Sequence, residues 1–231
     1  MNWMKKVAVA LVCLLPLGLQ AAKVDTLQVK SPSMNKSIEV VVVSPDVAAT
    51  KACPVIYLLH GYGGNARTWV GIKPDLSKIA DEKGIFFVCP DGKNTWYWDS
   101  PLNADVRYET FISDELVKYV DSHYKTVADR KGRAITGLSM GGHGAMWNGL
   151  RHSDVFSAAG STSGGVDIRP FPKNWEMSVQ IGEKAKYPEN WEKYTVINLV
   201  PTLRKDQIAL IFDCGDSDFF LEVNKNYHEA L

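Results

Sequence analysis

Six short runs of mostly apolar residues, separated by turns and by stretches of helical periodicity, constrain this chain more than any other feature. They span residues 38–43, 55–59, 85–89, 133–136, 156–160 and 208–213. A strand with one solvated face alternates apolar and polar side chains. Runs that are apolar at consecutive positions must be covered on both faces, which is the condition of a mainly parallel sheet between layers of helices. Between the runs, residues 74–83 read as a helix stopped by Gly84, and residues 108–124 place Ile112, Leu116, Tyr119 and Val120 along one face. Residues 90–106 and 164–194 lack periodicity, and long connections of this kind in an α/β domain are usually functional loops or lids. The 231 residues, 45% hydrophobic and 23% charged, suit one domain with a sizeable core.

The N-terminus is different in kind. Lys5 and Lys6 precede an apolar stretch over residues 7–19, and Leu19-Gln20-Ala21 offers a small-residue cleavage site. The apolar stretch, interrupted by Pro16 and Gly18, falls short of the roughly 20 residues a spanning helix needs. Residues 1–21 are therefore expected to be a secretory signal peptide cut near Ala21 or Ala22, with residues 22–231 forming the mature domain in the periplasm or outside the cell. Cleavage deletes two lysines and no acid, leaving 24 basic against 26 acidic side chains, a formal charge of −2. Such a balance does not favour nucleic acid or an anionic membrane as partner, and no integral membrane segment is expected after cleavage. Cys53, Cys89 and Cys214 remain, in a spacing that matches no zinc motif, and are expected to be free and mostly buried.

The chemistry concentrates in Gly137-Leu138-Ser139-Met140-Gly141, set between a strand and a helix. A serine on a sharp strand-to-helix turn takes strained backbone angles, and glycines two residues to either side let the helix pass close to the strand. Ser139 is thereby lifted clear of the sheet as a nucleophile, and the Met140 N–H, at the positive end of a helix, points where an oxyanion would form. The run 55–59 leads into His60-Gly61-Tyr62-Gly63-Gly64, whose glycines let the backbone turn toward the nucleophile and make the Tyr62 N–H a second oxyanion donor. His60 reads as a hydrogen-bonded support. The run 208–213 leads into Cys214-Gly215-Asp216-Ser217-Asp218, where Asp218 is the first candidate for the orienting carboxylate and Asp213 the second. The aspartate spacing does not make a calcium loop, and neither a metal nor a cofactor is expected.

These segments, with residues 96–101 and 108–112, resemble the esterase D family of α/β-hydrolases from about Val55 to Phe220. That family includes tributyrin esterases, feruloyl esterases of carbohydrate esterase family 1, S-formylglutathione hydrolases and mycolyltransferases related to antigen 85. The resemblance implies ester hydrolysis through an acyl-enzyme on Ser139, with Asp218 orienting a histidine and the Tyr62 and Met140 N–H groups holding the oxyanion. The family's histidine follows a final strand. None of the five histidines here fits that place, so a final strand and flanking helices, on the order of 40 residues, are expected to be missing beyond Leu231.

The expected activity is hydrolysis of a short-chain or hydroxycinnamoyl ester, as a small molecule or attached to a polysaccharide. Trp96, Trp98 and Trp175 are candidates for stacking on a sugar or aromatic acyl group, with core packing as the competing role. An acyltransferase of the mycolyl type and a non-catalytic relic lacking its histidine are the alternatives.

Overall fold

Each apolar run becomes a strand, and a further strand precedes them. In the computed structural model, which describes residues 22–231, β1 (Lys23–Ser31), β2 (Lys36–Ser44), β3 (Val55–Leu59), β4 (Phe86–Pro90), β5 (Arg133–Gly137), β6 (Ala158–Thr162) and β7 (Ala209–Asp213) form one sheet. The signal segment expected over residues 1–21 lies outside the described residues. The strand order is β1-β2-β4-β3-β5-β6-β7, parallel from β4 to β7 and antiparallel at β1–β2 and β2–β4. The chain is thus mainly parallel, with an antiparallel hairpin carrying one edge. The hairpin turns at Asn35, whose φ of 47° lies in the left-handed region that asparagine tolerates.

The apolar runs are continuous because alternate residues serve two cores. Val40 and Val42 of β2, Val55, Tyr57 and Leu59 of β3, and Phe86 and Val88 of β4 face the larger one. Val41, Val43, Leu58, Phe87 and Cys89 face the smaller one. The helices α1 (Thr68–Ile72) and α2 (Leu76–Lys83) lie on the second side, where Leu76 and Ala80 are buried. Gly84 ends α2 at φ 64°, its N–H bonded to the Ala80 carbonyl, as a left-handed glycine stop should be.

The helix expected over residues 108–124 is built in three pieces, α3 (Tyr108–Thr110), a π turn (Phe111–Glu115) and α4 (Leu116–His123). Ile112, Leu116 and Val120 are buried as the spacing predicts. The remaining helices are α5 (Met140–Arg151), α6 (Met177–Ile181), α7 (Pro188–Lys193) and α8 (Leu221–Ala230). Among the described residues β7 is the outermost strand at its edge, with Ile211 76% exposed. Among the described residues the three cysteines are free, Cys53 and Cys89 buried and Cys214 half-buried.

One carboxylate ties the helical layer together. Glu109 of α3 is buried and accepts from Trp147 Nε1 at 2.7 Å and Arg151 Nε at 2.7 Å, both of α5, and faces His152 Nε2 at 2.9 Å. Burial alone would raise its carboxyl, but the bonds from His152, Arg151 and Trp147 outweigh it and hold the group below its ordinary 4.5. A carboxyl depressed by folding stabilises above its unfolded value and loses that contribution as pH falls through its folded one. Glu109→Gln is therefore expected to melt below wild type at pH 7, with the gap closing as pH drops below 4.5. A gap in thermal midpoint that stays constant from pH 7 to pH 3 would contradict this role.

Candidate active site

The site is assembled at the C-terminal ends of β3, β5, β6 and β7. Strand β5 ends at Gly137, Leu138 makes an isolated bridge to Thr162, and α5 starts at Met140. Ser139 between them has φ 57° and ψ −116°, an angle that L side chains rarely adopt. Strain of this kind costs about 1–3 kcal/mol and persists only when the surroundings over-determine it. They do so here: Leu138 N–H donates to the Leu59 carbonyl at 3.2 Å, Ser139 N–H to Thr162 at 2.9 Å, Gly141 N–H to Leu138 at 2.8 Å, and His143 N–H to Ser139 at 3.0 Å.

The flanking glycines are needed for space. A Cβ on Gly137 would lie 2.3 Å from the backbone of Gly141, and one on Gly141 would lie 2.1 Å from the Leu59 carbonyl oxygen. Backbone meets backbone at this corner, as the motif requires. The loop after β3 runs against the same corner, since a Cβ on Gly61 would be 3.5 Å from the Ser139 Cβ.

Two amide hydrogens are left over. The loop turns on Gly64 N–H to Gly61 O at 3.0 Å and Gly63 N–H to Asn94 Oδ1 at 2.9 Å. Among the described residues neither Tyr62 N–H nor Met140 N–H donates a hydrogen bond. An unpaired pair of donors beside a half-buried serine hydroxyl can hold a developing oxyanion. His60 lies underneath as a support: its Nε2 accepts from Gly92 N–H at 2.9 Å, which places the proton on Nδ1 to donate to Gly61 O at 2.8 Å. The Tyr97 hydroxyl donates to the His60 carbonyl at 3.0 Å and closes the loop from behind.

Asp213 and Asp218 stand on the neighbouring edge. The Asp213 carbonyl accepts from Ser163 N–H at 2.8 Å, and its carboxylate lies 3.5 Å from the Thr162 hydroxyl. Asp218 accepts from Phe220 N–H at 2.7 Å through Oδ1, ahead of α8. Among the described residues no histidine bonds to Asp218 or to the Ser139 hydroxyl. His143 is buried and neutral, its pKa lowered to about 4 by desolvation, with Nδ1 on the Gly165 carbonyl at 2.8 Å. His123 caps its own helix, bonding Tyr119 O at 2.8 Å, and His152 faces Glu109. His228 lines a small cleft with Asp213 and Cys214.

The tryptophans divide. Trp96 and Trp98 are not available to a ligand: both are buried, stacked on each other at 5.6 Å and set edge-on to His143 at 5.2 and 5.0 Å. The cause is local, because Trp96 and Tyr97 both adopt positive φ and turn the loop inward. Trp175 is half-buried and stacks on Phe219, which is 61% exposed. Two residues absent from the motifs join the site. Asn94 holds Gly63, and its amide nitrogen donates to Glu176 Oε2 at 3.2 Å, tying the loop after β3 to the 164–194 segment. The consecutive left-handed residues Trp175 and Glu176 make that approach possible. Their one signal in the sequence was the lack of periodicity around them. No cluster of three or more potential metal ligands occurs among the described residues.

The sequence profile of the family described as "Putative esterase" matches residues 31–230. An esterase of Mycobacterium tuberculosis is 31% identical over 149 residues, covering 62% of this chain and 32% of that protein, so the chain spans about a third of that relative. An acetyl esterase of Caldicellulosiruptor saccharolyticus is 25% identical over 194 residues, covering 76% of this chain and 70% of that protein. Among solved structures, a ferulic acid esterase superposes with a TM-score of 0.73 at 30% identity, over 91% of this chain and 86% of the other.

The glycine geometry predicts a graded result. Gly137→Ala and Gly141→Ala should each lower unfolding free energy by about 2–3 kcal/mol or more, because backbone must move. Gly71→Ala in α1, where a Cβ meets nothing within 4 Å, should leave stability unchanged or raised by about 0.5–1 kcal/mol. Denaturant unfolding of the three variants checks this, and equal effects at all three positions would contradict it.

Proposed function

The chain belongs to the esterase family whose profile spans residues 31–230, and on that premise we propose that it is an exported serine carboxylic-ester hydrolase acting on short-chain acyl or feruloyl-type esters. The observation that carries this reading is the strained Ser139 beside two unpaired N–H groups. The Ser139 hydroxyl attacks the ester carbonyl, and the carbonyl oxygen becomes an oxyanion between Tyr62 N–H and Met140 N–H. The alcohol leaves with a proton, and water then cleaves the acyl group from Ser139. Donors fixed before the charge develops need no reorganisation, and removing one such donor typically lowers turnover about 10²–10³-fold. Proton transfer in this chemistry needs a histidine between Asp218 and Ser139, and the bonds of His60, His123, His143 and His152 turn those rings elsewhere.

Feruloyl selectivity is supported by the likeness to a ferulic acid esterase and by the exposed Phe219 ring stacked on Trp175, next to Asp218. A planar hydroxycinnamoyl group can lie on such a wall, whereas an acetyl group gains little from it. Export is supported by Lys5, Lys6 and the apolar residues 7–19.

The test uses p-nitrophenyl acetate and methyl ferulate with the 231-residue chain and with the product of any reading frame that continues past it. Ser139→Ala should abolish turnover, by about 10⁶-fold. Asp218→Asn should lower kcat about 10⁴-fold, and Asp213→Asn far less. Hydrolysis that survives Ser139→Ala would sink the assignment. A separate expectation concerns specificity: Phe219→Ala should raise KM for methyl ferulate roughly 2–10-fold, the worth of one aromatic pair, and leave p-nitrophenyl acetate unaffected. An equal change for both esters would remove the aromatic wall from the reading.

A further inference from the structure

The first described residue is docked into the fold. The backbone nitrogen of Ala22 lies 2.8 Å from Asp81 Oδ2, and the other carboxylate oxygen accepts from Asp46 N–H at 2.8 Å. Ala22 itself is 9% exposed and packs with Val41, Val43, Leu76 and Ala80 in the smaller core. Pairing of β1 to β2 begins at the next residue, Lys23 opposite Ser44. The leader sequence allows a cut on either side of Ala22, and these contacts distinguish the two. A cut after Ala22 would discard the residue that fills the core and meets Asp81.

We propose that processing occurs between Ala21 and Ala22 and that the new α-ammonium of Ala22 forms a structural ion pair with Asp81. The proposal rests on the export reading above. In the step itself, a processing peptidase adds one water across the Ala21–Ala22 amide, leaving a carboxylate on Ala21 and an ammonium on Ala22. Before the cut, the Ala22 nitrogen offers Asp81 a single neutral N–H. Afterwards the same atom carries a positive charge and three hydrogens against a half-buried carboxylate, and charge-assisted bonds are about twice as strong as neutral ones. Removal of the leader thus strengthens an existing contact between the start of β1 and α2, and the mature chain holds its own N-terminus.

Two measurements decide it. N-terminal sequencing of the exported protein should begin at Ala22. A start at Lys23 or beyond overturns the cleavage assignment, and retention of residues 1–21 overturns the export reading itself. The ion pair is tested independently on protein released from a fusion so that it begins at Ala22, beside the same protein with one glycine added ahead of Ala22. The native start should melt roughly 2–4 °C higher, and the difference should vanish when both carry Asp81→Asn. Equal melting of the two, or a difference that persists with Asp81→Asn, overturns the ion pair.

Discussion

Where α5 leaves the sheet, main chain touches main chain with nothing between. The start of this helix lies against the ends of β3 and β5 at distances that no Cβ can enter, at Gly137 and Gly141, and the loop after β3 comes within contact distance of it at Gly61. Everything that distinguishes the site follows from that approach. The residue between the two glycines has no room for ordinary strand or helix angles, so its side chain is thrown outward. The first N–H of the helix is left without a carbonyl partner. The neighbouring loop after β3 is drawn against the same corner at Gly61, and among the described residues its Tyr62 N–H donates no hydrogen bond. One packing requirement therefore accounts for a strained serine and for two N–H groups, on neighbouring segments, that donate to nothing among the described residues.

This corner was legible because it is local: five consecutive residues, a strand before and a helix after. The strands were legible too, since alternate residues of β2, β3 and β4 feed two cores and so read as unbroken apolar runs. β1 was not, because it lies at the sheet edge and keeps polar residues on much of its length. The two aperiodic segments could be recognised as loops but not interpreted, since their contacts are long-range. Trp96 and Trp98 turn inward on two left-handed residues and pack on a histidine forty-odd positions away, information that no spacing carries. Asn94 and Glu176 meet across 82 positions for the same reason. The carboxylate was narrowed to Asp218 and Asp213, and the fold sets both on one edge, where among the described residues neither is hydrogen-bonded to a histidine.

The support beneath the site is aromatic and electrically quiet. His143, one turn into α5, is enclosed by Trp96, Trp98 and Trp147 and kept neutral, and its Nδ1 pins the Gly165 carbonyl. Its second nitrogen has no partner among the described residues. A neutral ring in that position links the helix after Ser139 to the 164–194 segment without adding a charge next to that serine. Charge is kept toward the C-terminal end of the same helix, around Glu109, where it binds one helix to another.

The thiols illustrate what the double-sided sheet does for chemical durability. Cys89 is sealed within β4, and burial raises its thiol far above the ordinary value; Cys53 is shifted the same way. Disulfide exchange and alkylation proceed through the thiolate, so these sulfurs stay silent while the sheet is closed and become reactive only when it opens. Their rate of capture by an alkylating reagent becomes a clock for how often the protein breathes.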